Sequence, residues 1–255
     1  PFETEIVVVD DGSTDGTDEV LSEWRTRDDR VRVVTIEHHG FPGAVRNRGV
    51  AEARGDTIAF LDSDDRWFPD KLAVHLPAYR SSGLPLSHTR EVWRREGRRV
   101  SQSSHRHRRQ GDIFADALHK CIVGPSTVLI DRSFYEELGG FREDIEIAED
   151  YELWLRATCR SAVHYLDHPS TEKRAGRWAQ LSTKYGAIEG FRIAALRDLV
   201  RSGYFERYRG GDARRAAERV LARKLAIYAA GARKRGRVDE ADRLDAEARG
   251  LADER

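Results

Sequence analysis

The sequence predicts an α/β fold, in which a mainly parallel β-sheet is flanked by helices and followed by an α-helical extension. Strand-like and helix-like segments alternate through the first half of the chain, an order typical of parallel sheets that carry helices on both faces. Beyond residue 181 the composition shifts to Ala, Arg, Leu and Glu, which favour helices. We therefore expect an α/β domain over residues 1–182 and a helical extension over residues 183–255.

Apolar periodicity and turn residues divide the first part of the chain into six elements. In order, we predict a strand at 5–9, a helix at 17–27, a strand at 31–36, a helix at 44–53, a strand at 57–61 and a helix at 69–76. In the first helix Leu21 and Trp24 lie at helical spacing, and Gly55 follows the end of the second helix. Pro69 fits the first turn of the third helix, and Pro77 lies just beyond its end.

The pattern weakens over residues 81–110 and then recovers. We predict a hairpin of 89–95 with 98–103, a strand at 121–130 bent by Gly124-Pro125, a helix at 132–138, an amphipathic helix at 149–159, a strand at 162–166, and helices at 186–202, 213–230 and 239–251. We interpret the basic run at 105–109 as a solvated loop, and a phosphate-binding segment is the alternative.

The bulk composition excludes several classes of function. The 44 basic and 44 acidic residues give a formal net charge of +0, so no overall field attracts nucleic acid or an acidic membrane. No apolar stretch approaches the roughly 20 residues of a transmembrane helix, and no signal peptide is visible. Cys121 and Cys159 are too few for a disulfide framework and fit a reducing compartment. We expect a cytoplasmic protein with no nucleic-acid partner and no transmembrane segment, which leaves peripheral membrane contact open.

The first of two acidic clusters, Asp10-Asp11-Gly12-Ser13, follows an apolar run. Carboxylates at the carboxyl ends of parallel strands point into the crevice where open α/β sheets bind ligands. The simpler alternative is a turn followed by a helix cap. Two adjacent carboxylates favour the binding interpretation, because each must be solvated or paired at a strand end.

The second cluster, Asp62-Ser63-Asp64-Asp65, follows another apolar run. Three carboxylates within four residues repel one another, and a divalent cation would relieve that repulsion. Oxygen ligands suit Mg²⁺ or Mn²⁺, which can also contact a diphosphate. An acidic turn before the next helix is the alternative.

Four blocks of this sequence form one ordered set: IVVVDDGSTDGT at 6–17, AVRNRG at 44–49, GDTIAFLDSDD at 55–65, and GGF at 139–141 followed by AEDYELWLR at 148–156. In this order and at normal spacing, they resemble family 2 glycosyltransferases with the GT-A fold. The similarity covers roughly residues 3–168. It implies a nucleotide-diphospho-sugar transferase fold that is Rossmann-like.

The resemblance also implies roles for the acidic clusters. The residues it assigns to nucleotide-sugar binding are Asp10, Asp11, Ser13, Arg46, Asp62 and Asp64. Among them Asp11 would hydrogen-bond the nucleobase, and Asp62 would lie near the ribose or the metal. Asp64 and Asp65 would hold a divalent metal, Mg²⁺ or Mn²⁺.

The last block supplies the implied catalytic residues, Asp150 as the general base with Glu149 beside it. An acceptor hydroxyl needs such a base, and Glu149 could raise the pKa of Asp150 by like-charge repulsion. The alternative is that both carboxylates simply favour the positive N-terminus of a helix. The implied reaction moves a sugar, with inversion, from a nucleoside-diphosphate sugar to a saccharide, lipid-linked or small-molecule acceptor, as in polysaccharide biosynthesis.

Two other functions are alternatives to this interpretation. A sugar-nucleotide-binding scaffold module with weak catalysis would retain the clusters and use the helical extension for partner contacts. A nucleotidyltransferase would normally carry a Gly-rich loop with Lys or Arg after its first strand, and none is visible.

The sequence departs from the family pattern in two places. The family begins with an earlier strand and helix, and the chain starts at Pro1 and contains no Met, so we expect a start truncated ahead of the first acidic strand. The stretch 172–181 lacks the late His that many metal-dependent relatives supply. Arg174 or Arg177 would then contact the diphosphate, and the metal would bind only together with the sugar nucleotide.

Overall fold

The α/β class is confirmed, and the strands in the described part of the chain form two sheets. The structure is a computed structural model that describes residues 3–100, 108–175 and 188–253. In the first sheet β1 (Ile6–Asp10) pairs in parallel with β2 (Val31–Thr35). Helix α1 (Thr17–Arg27) connects these two strands, and α2 (Pro42–Glu52) follows β2.

The second sheet has the order β3-β7-β5-β8-β4, with β6 paired to β5. Its strands are β3 (Thr57–Ile58), β4 (Arg66–Trp67), β5 (Leu86–Arg95), β6 (Arg98–Val100), β7 (Val128–Asp131) and β8 (His164–Ala175). Of its pairings in the described part of the chain, β5 with β8 is parallel and the others are antiparallel.

The expectation of a mainly parallel sheet is therefore corrected to a mixed one. The chain enters β7 through a 3-10 turn, Pro125–Thr127, that lies beside the second acidic cluster. There the Ser126 hydroxyl accepts a hydrogen bond from the Asp62 amide at 3.1 Å. Because β3 leads toward this cluster and β7 starts from it, the two strands run in opposite directions.

The helices cover both sheets and extend the chain at its end. They are α3 (Lys71–Ser82), α4 (Phe114–His119), α5 (Arg132–Leu138), α6 (Glu149–Arg160), α7 (Ile188–Arg201), α8 (Tyr204–Arg209), α9 (Gly211–Lys234) and α10 (Val238–Asp253). None of the described helices has both the length and the apolar composition needed to cross a bilayer.

Helix α3 is longer than predicted and contains Pro77, which the sequence placed beyond its end. Leu76 and Tyr79 are buried against Leu129 of β7, so burial holds the helix together on both sides of the proline. Helix α3 ends at Gly83, which has a φ of 63°, a conformation that glycine adopts without strain.

Helix α6 lies at the centre of the molecule rather than on its surface. It is buried from Tyr151 to Cys159, so the amphipathic helix predicted here has both faces covered. Its polar residues Glu152 and Arg156 pair with each other at 2.6 Å, and Arg156 also donates to the Gly140 carbonyl oxygen at 2.7 Å. Burial of this charge pair is tolerated because its hydrogen bonds are made.

The helices after residue 187 share one hydrophobic cluster with the α/β part of the chain. Leu155 of α6 and Leu196, Leu221 and Leu225 of α7 and α9 are completely buried in it or nearly so. The helices predicted for this region are confirmed as α7, α9 and α10, and α8 is an addition. The predicted domain boundary at 182/183 lies outside the described residues and stays a prediction.

A chain of buried and half-buried polar side chains links α3 to β5 and β8 of the second sheet. His75 and His164 each lie 2.8 Å from the hydroxyl of Ser87. Lys71 Nζ donates to the Thr127 carbonyl oxygen at 3.2 Å and lies 3.5 Å from His75 Nδ1. Burial lowers the pKa of Lys71 to about 7, because the charged amine is poorly solvated there.

This lowered pKa predicts how stability depends on pH. Between about pH 7 and pH 10.5 the unfolded chain binds more protons at Lys71 than the folded one, so the free energy of unfolding rises with pH, by at most about 1.4 kcal/mol per pH unit. Lys71→Met should remove this contribution to the increase of the unfolding free energy with pH. Urea unfolding at pH 7 and pH 9 measures the increase, and Lys234→Met, at an exposed lysine, is the control. An equal increase in the wild type and in Lys71→Met would contradict the prediction.

Candidate active site

The first acidic cluster holds two loops together at the end of β1. The Asp11 carboxylate accepts hydrogen bonds from the backbone amides of His39 at 2.7 Å and Gly40 at 2.8 Å. Asp10 is buried and accepts from the Ser13 amide at 3.2 Å. The carboxylate of Asp11 is thus fixed in direction, and its remaining lone pairs can accept further hydrogen bonds.

Arg46 of α2 joins the second acidic cluster to the start of α6. Its guanidinium donates to Asp62 Oδ1 at 2.7 Å and to Glu149 Oε1 at 2.6 Å. It also lies 5.2 Å from the centroid of the Phe141 ring. The side chains of Arg46, Asp62 and Glu149 are 16%, 25% and 9% exposed, so these ion pairs are weakly screened by solvent.

The charges around Arg46 are unequally compensated. Burial opposes the charge on Arg46, but Asp62 and Glu149 outweigh it and raise the pKa of Arg46. Burial also opposes the charge on Asp62, but the attraction of Arg46 outweighs burial and lowers the pKa of that carboxyl. For Glu149, burial and the neighbouring Asp150 prevail over Arg46, so its pKa is raised. The site thus contains a permanent cation beside a carboxylate that is costly to ionise.

Asn47, next to Arg46, fixes the Gly-Gly-Phe segment that precedes α6. Its Nδ2 donates to the Phe141 carbonyl oxygen at 2.8 Å, and its Oδ1 accepts from the Phe141 amide at 2.9 Å and the Tyr135 hydroxyl at 2.5 Å. A Cβ at Gly140 would lie 2.8 Å from Asn47 Oδ1, so this position needs glycine. The motifs at 44–49 and 139–141 therefore form one structural unit.

Asp65, a predicted metal ligand, faces an ammonium group. Lys173 Nζ of β8 lies 3.3 Å from Asp65 Oδ2, and the Asp65 side chain is 4% exposed. Burial raises the pKa of Asp65, with Asp62 and Asp64 adding to it against Lys173. Burial also opposes the charge on Lys173, but Asp65 and Glu91 outweigh it and raise the pKa of that ammonium.

The predicted metal pair does not fit a metal site by itself. In residues 3–100, 108–175 and 188–253, no three His, Cys, Asp or Glu side chains are arranged to hold an ion. Asp65 is paired with Lys173, and Asp64 is half-buried on the same turn. Because Mg²⁺ requires six oxygen ligands, an ion here would need most of them from water and a bound ligand.

Asp150, the predicted base, lines a cleft of about 810 Å³. Its Oδ1 accepts a hydrogen bond from the Tyr151 amide at 2.6 Å, and Cys121 Sγ lies 3.4 Å from its Oδ2. Ala148, which precedes α6, has a φ of 71°, a conformation that costs a non-glycine residue about 1 kcal/mol or more. The start of α6 is thus held in a strained turn beside the cleft.

The walls of this cleft come from both parts of the chain. Glu91 and Trp93 of β5 and Lys173 of β8 form one side, and Glu189 and Arg192 of α7 form another. Trp93 is 37% exposed as a residue, and its Nε1 donates to Glu91 at 2.7 Å. The helices after residue 187 therefore contribute polar groups to the cleft as well as packing.

Comparison with known proteins decides the family. The family model described as glycosyl transferase family 2 matches residues 1–139, which is more than half of the chain. The chain belongs to glycosyl transferase family 2. This membership confirms the resemblance identified in the sequence motifs.

Curated relatives and solved structures are similar to this chain over different lengths. The succinoglycan biosynthesis protein ExoU of Rhizobium meliloti is 27% identical over 204 residues, which cover 74% of this chain and 58% of ExoU. The chain spans 28% of the length of two Rickettsia glycosyltransferases that it matches. S. aureus TarS 1-349 in complex with UDP-GlcNAc has a TM-score of 0.63 at 16% identity, covering 96% of this chain and 82% of TarS 1-349.

A second solved structure is the mannosyltransferase PcManGT from Pyrobaculum calidifontis in complex with GDP-Man and Mn²⁺. Its TM-score is 0.60 at 17% identity, covering 98% of this chain and 78% of that one. At this identity the two structures share their fold with this family 2 member. A divalent metal is compatible with that family and that neighbour.

Sequence reasoning missed several residues of the candidate site. We expected Arg174 or Arg177 to reach the diphosphate, but Arg174 pairs with Glu172 at 2.9 Å and Arg177 lies outside the described residues. The cation of β8 that reaches the second acidic cluster is Lys173, the residue before Arg174. Successive side chains of a strand point to opposite faces of the sheet, so Lys173 and Arg174 are expected on different faces. The sequence does not tell which of the two faces the site. No sequence signal placed Cys121 beside Asp150.

Proposed function

We propose that this family 2 member transfers a sugar from a nucleoside-diphosphate sugar to an acceptor hydroxyl with inversion at the anomeric carbon. The observation that carries the proposal is the Arg46 bridge, which joins Asp62 to Glu149. It connects the acidic loop proposed for the donor to the start of α6, where Asp150 lines the cleft. A transferase needs this proximity, because the donor and the acceptor must meet in line.

On the donor side, we assign Asp11 to the nucleobase, with Asp10 and Ser13 shaping the same turn. The Asp11 carboxylate is already oriented by two backbone amides, which lowers the entropy cost of binding. Asp62 would accept a hydrogen bond from the ribose while Arg46 holds its other side. The complexes of TarS with UDP-GlcNAc and of PcManGT with GDP-Man support a nucleotide-sugar donor of this kind.

On the acceptor side, we assign Asp150 as the general base. It takes the proton from the acceptor hydroxyl as that oxygen forms a bond to the anomeric carbon. The bond from this carbon to the diphosphate oxygen breaks in the same step, and its electron pair leaves with the diphosphate. Because one displacement occurs, the configuration inverts. Glu149, held by Arg46, positions the start of α6 and so the base.

A divalent ion, Mg²⁺ or Mn²⁺, would neutralise charge on the leaving diphosphate when bound. We assign Asp64 to it together with oxygen atoms of the donor, since Asp65 is paired with Lys173. The steps assigned to Asp11, Asp62 and Asp150 do not pass through the ion.

We propose a saccharide as the acceptor, among the saccharide, lipid-linked and small-molecule classes. The cleft combines carboxylates with the half-exposed Trp93 ring, and a pyranose offers hydroxyl groups for the former and an apolar face for the latter. The description of ExoU as a succinoglycan biosynthesis protein supports this class.

A thermal-shift panel of UDP, GDP and dTDP, each with and without Mn²⁺, tests donor binding. At a concentration of about 100 Kd, the matching nucleotide should raise Tm by roughly 5–10 °C for a chain of this size. Asp11→Ala should abolish this increase, and Asp64→Ala should reduce it.

Asp15→Asn is the matched control, because Asp15 is exposed on the same turn and has no assigned role. Each variant is compared by the increase in Tm on adding nucleotide, so a change in the stability of the free protein does not affect the result. If no nucleotide shifts the Tm of the wild type, the proposed transfer from a nucleoside-diphosphate sugar is wrong.

A further inference from the structure

Lys173 lies between Asp65 of the second acidic cluster and the candidate base Asp150. Its ammonium is 3.3 Å from Asp65 Oδ2 on the donor side, and it lines the cleft together with Asp150 on the acceptor side. Its side chain is 23% exposed, so part of it faces the cleft. No aligned hydrogen-bond partner reaches Asp65 Oδ2 in the described part of the chain, so this contact is an ion pair rather than a directed hydrogen bond.

The surroundings make room for this ammonium. A Cβ at Gly124 would lie 3.3 Å from Lys173 Cε and 3.1 Å from Glu91 Oε2. Gly124 therefore leaves open the space in which Lys173 and the buried carboxylate of Glu91 meet. A lysine that served only to neutralise Asp65 would not need to line the open cleft beside the candidate base.

We propose that Lys173 is a built-in counter-cation of the donor site, which takes the place of a divalent ion at Asp65 and contacts the diphosphate of the donor. This inference rests on the proposed function. An ammonium has three N–H donors, so it can face Asp65 and still donate to a phosphate oxygen. Lysine is a common phosphate ligand because it acts as a compact point charge. The donor is then bound by protein charge even where no metal is present.

Isothermal titration of the nucleoside diphosphate selected by the thermal-shift panel tests the proposal, in EDTA and in Mn²⁺. In EDTA the wild type should retain binding, and Lys173→Met should weaken it about tenfold or more, as expected for a charge-assisted hydrogen bond. Lys173→Arg should recover part of the loss. Arg174→Gln is the control on the next residue of β8 and should change the affinity less than twofold.

The double variant Asp65→Asn/Lys173→Met distinguishes two roles of Lys173, contact with the donor diphosphate and neutralisation of Asp65. If Lys173 only neutralises Asp65, removing both charges restores the wild-type affinity, and the proposal is wrong. If Lys173 contacts the diphosphate, the double variant stays weak, while its unfolding temperature shows that it is folded. Loss of wild-type binding in EDTA but not in Mn²⁺ would also overturn the proposal. Absence of nucleotide binding in both conditions would instead refute the proposed transferase function.

Discussion

Asp150→Asn is expected to lower kcat by about 10²–10⁴-fold and to leave nucleoside-diphosphate affinity within twofold. The amide has nearly the shape of the carboxylate and can still accept the hydrogen bond of the Tyr151 amide, but it cannot take a proton from an acceptor hydroxyl. The loss should therefore appear in kcat and not in donor binding. Release of the nucleoside diphosphate in the presence of acceptor measures kcat, and titration measures the affinity.

Glu136→Gln is a matched control for this experiment, because Glu136 is largely exposed on α5 and has no assigned role. Its kcat should equal that of the wild type. If Asp150→Asn keeps more than about a tenth of wild-type turnover, Asp150 is not the base. Glu149 would then be the next carboxylate to test.

Arg46→Met is expected to lower the free energy of unfolding by about 3–5 kcal/mol. Removing one partner of a buried ion pair leaves the other charge uncompensated, and here Asp62 and Glu149 both lose their partner. Arg46→Lys should cost less, since it keeps the charge and loses the two-armed geometry. Urea unfolding monitored by circular dichroism measures the change.

Two further variants show whether the cost arises from unpaired charge. The triple variant Arg46→Met/Asp62→Asn/Glu149→Gln should recover much of the stability, because no uncompensated carboxylate remains. Arg48→Met on the same helix is the control, and loss of its exposed pair with Glu52 should cost less than about 1 kcal/mol. A decrease below 1 kcal/mol for Arg46→Met would show that the bridge does not stabilise the fold.

Local pattern predicted the elements of the fold better than their pairing. Helices α1 and α5 have the predicted bounds, because periodicity and flanking glycines act within a few residues. The length of α3 was wrong, since burial against β7 extends it past Pro77. The mixed sheet was also missed, because strand direction depends on where the chain re-enters the sheet, and no local signal reports this.

The candidate site shows the same division between local and long-range information. The motifs led to Asp11, Asp62 and Asp150 directly, since each follows a recognisable run of residues. The contact of Lys173 with Asp65 spans more than 100 residues, and a sequence pattern carries no sign of it. Whether Lys173 or Arg174 faces the site depends on the register of β8 with its neighbours, which packing determines.

The central position of α6 has a consequence for the order in which the protein folds during synthesis. Helix α6 is covered on one side by elements made before it, and on another by α7 and α8, which are made later. While the ribosome is still making the later helices, the apolar side chains of α6 lack part of their cover and are open to aggregation. The helix that carries the candidate base can therefore reach its final packing only after α7 and α8 have been made.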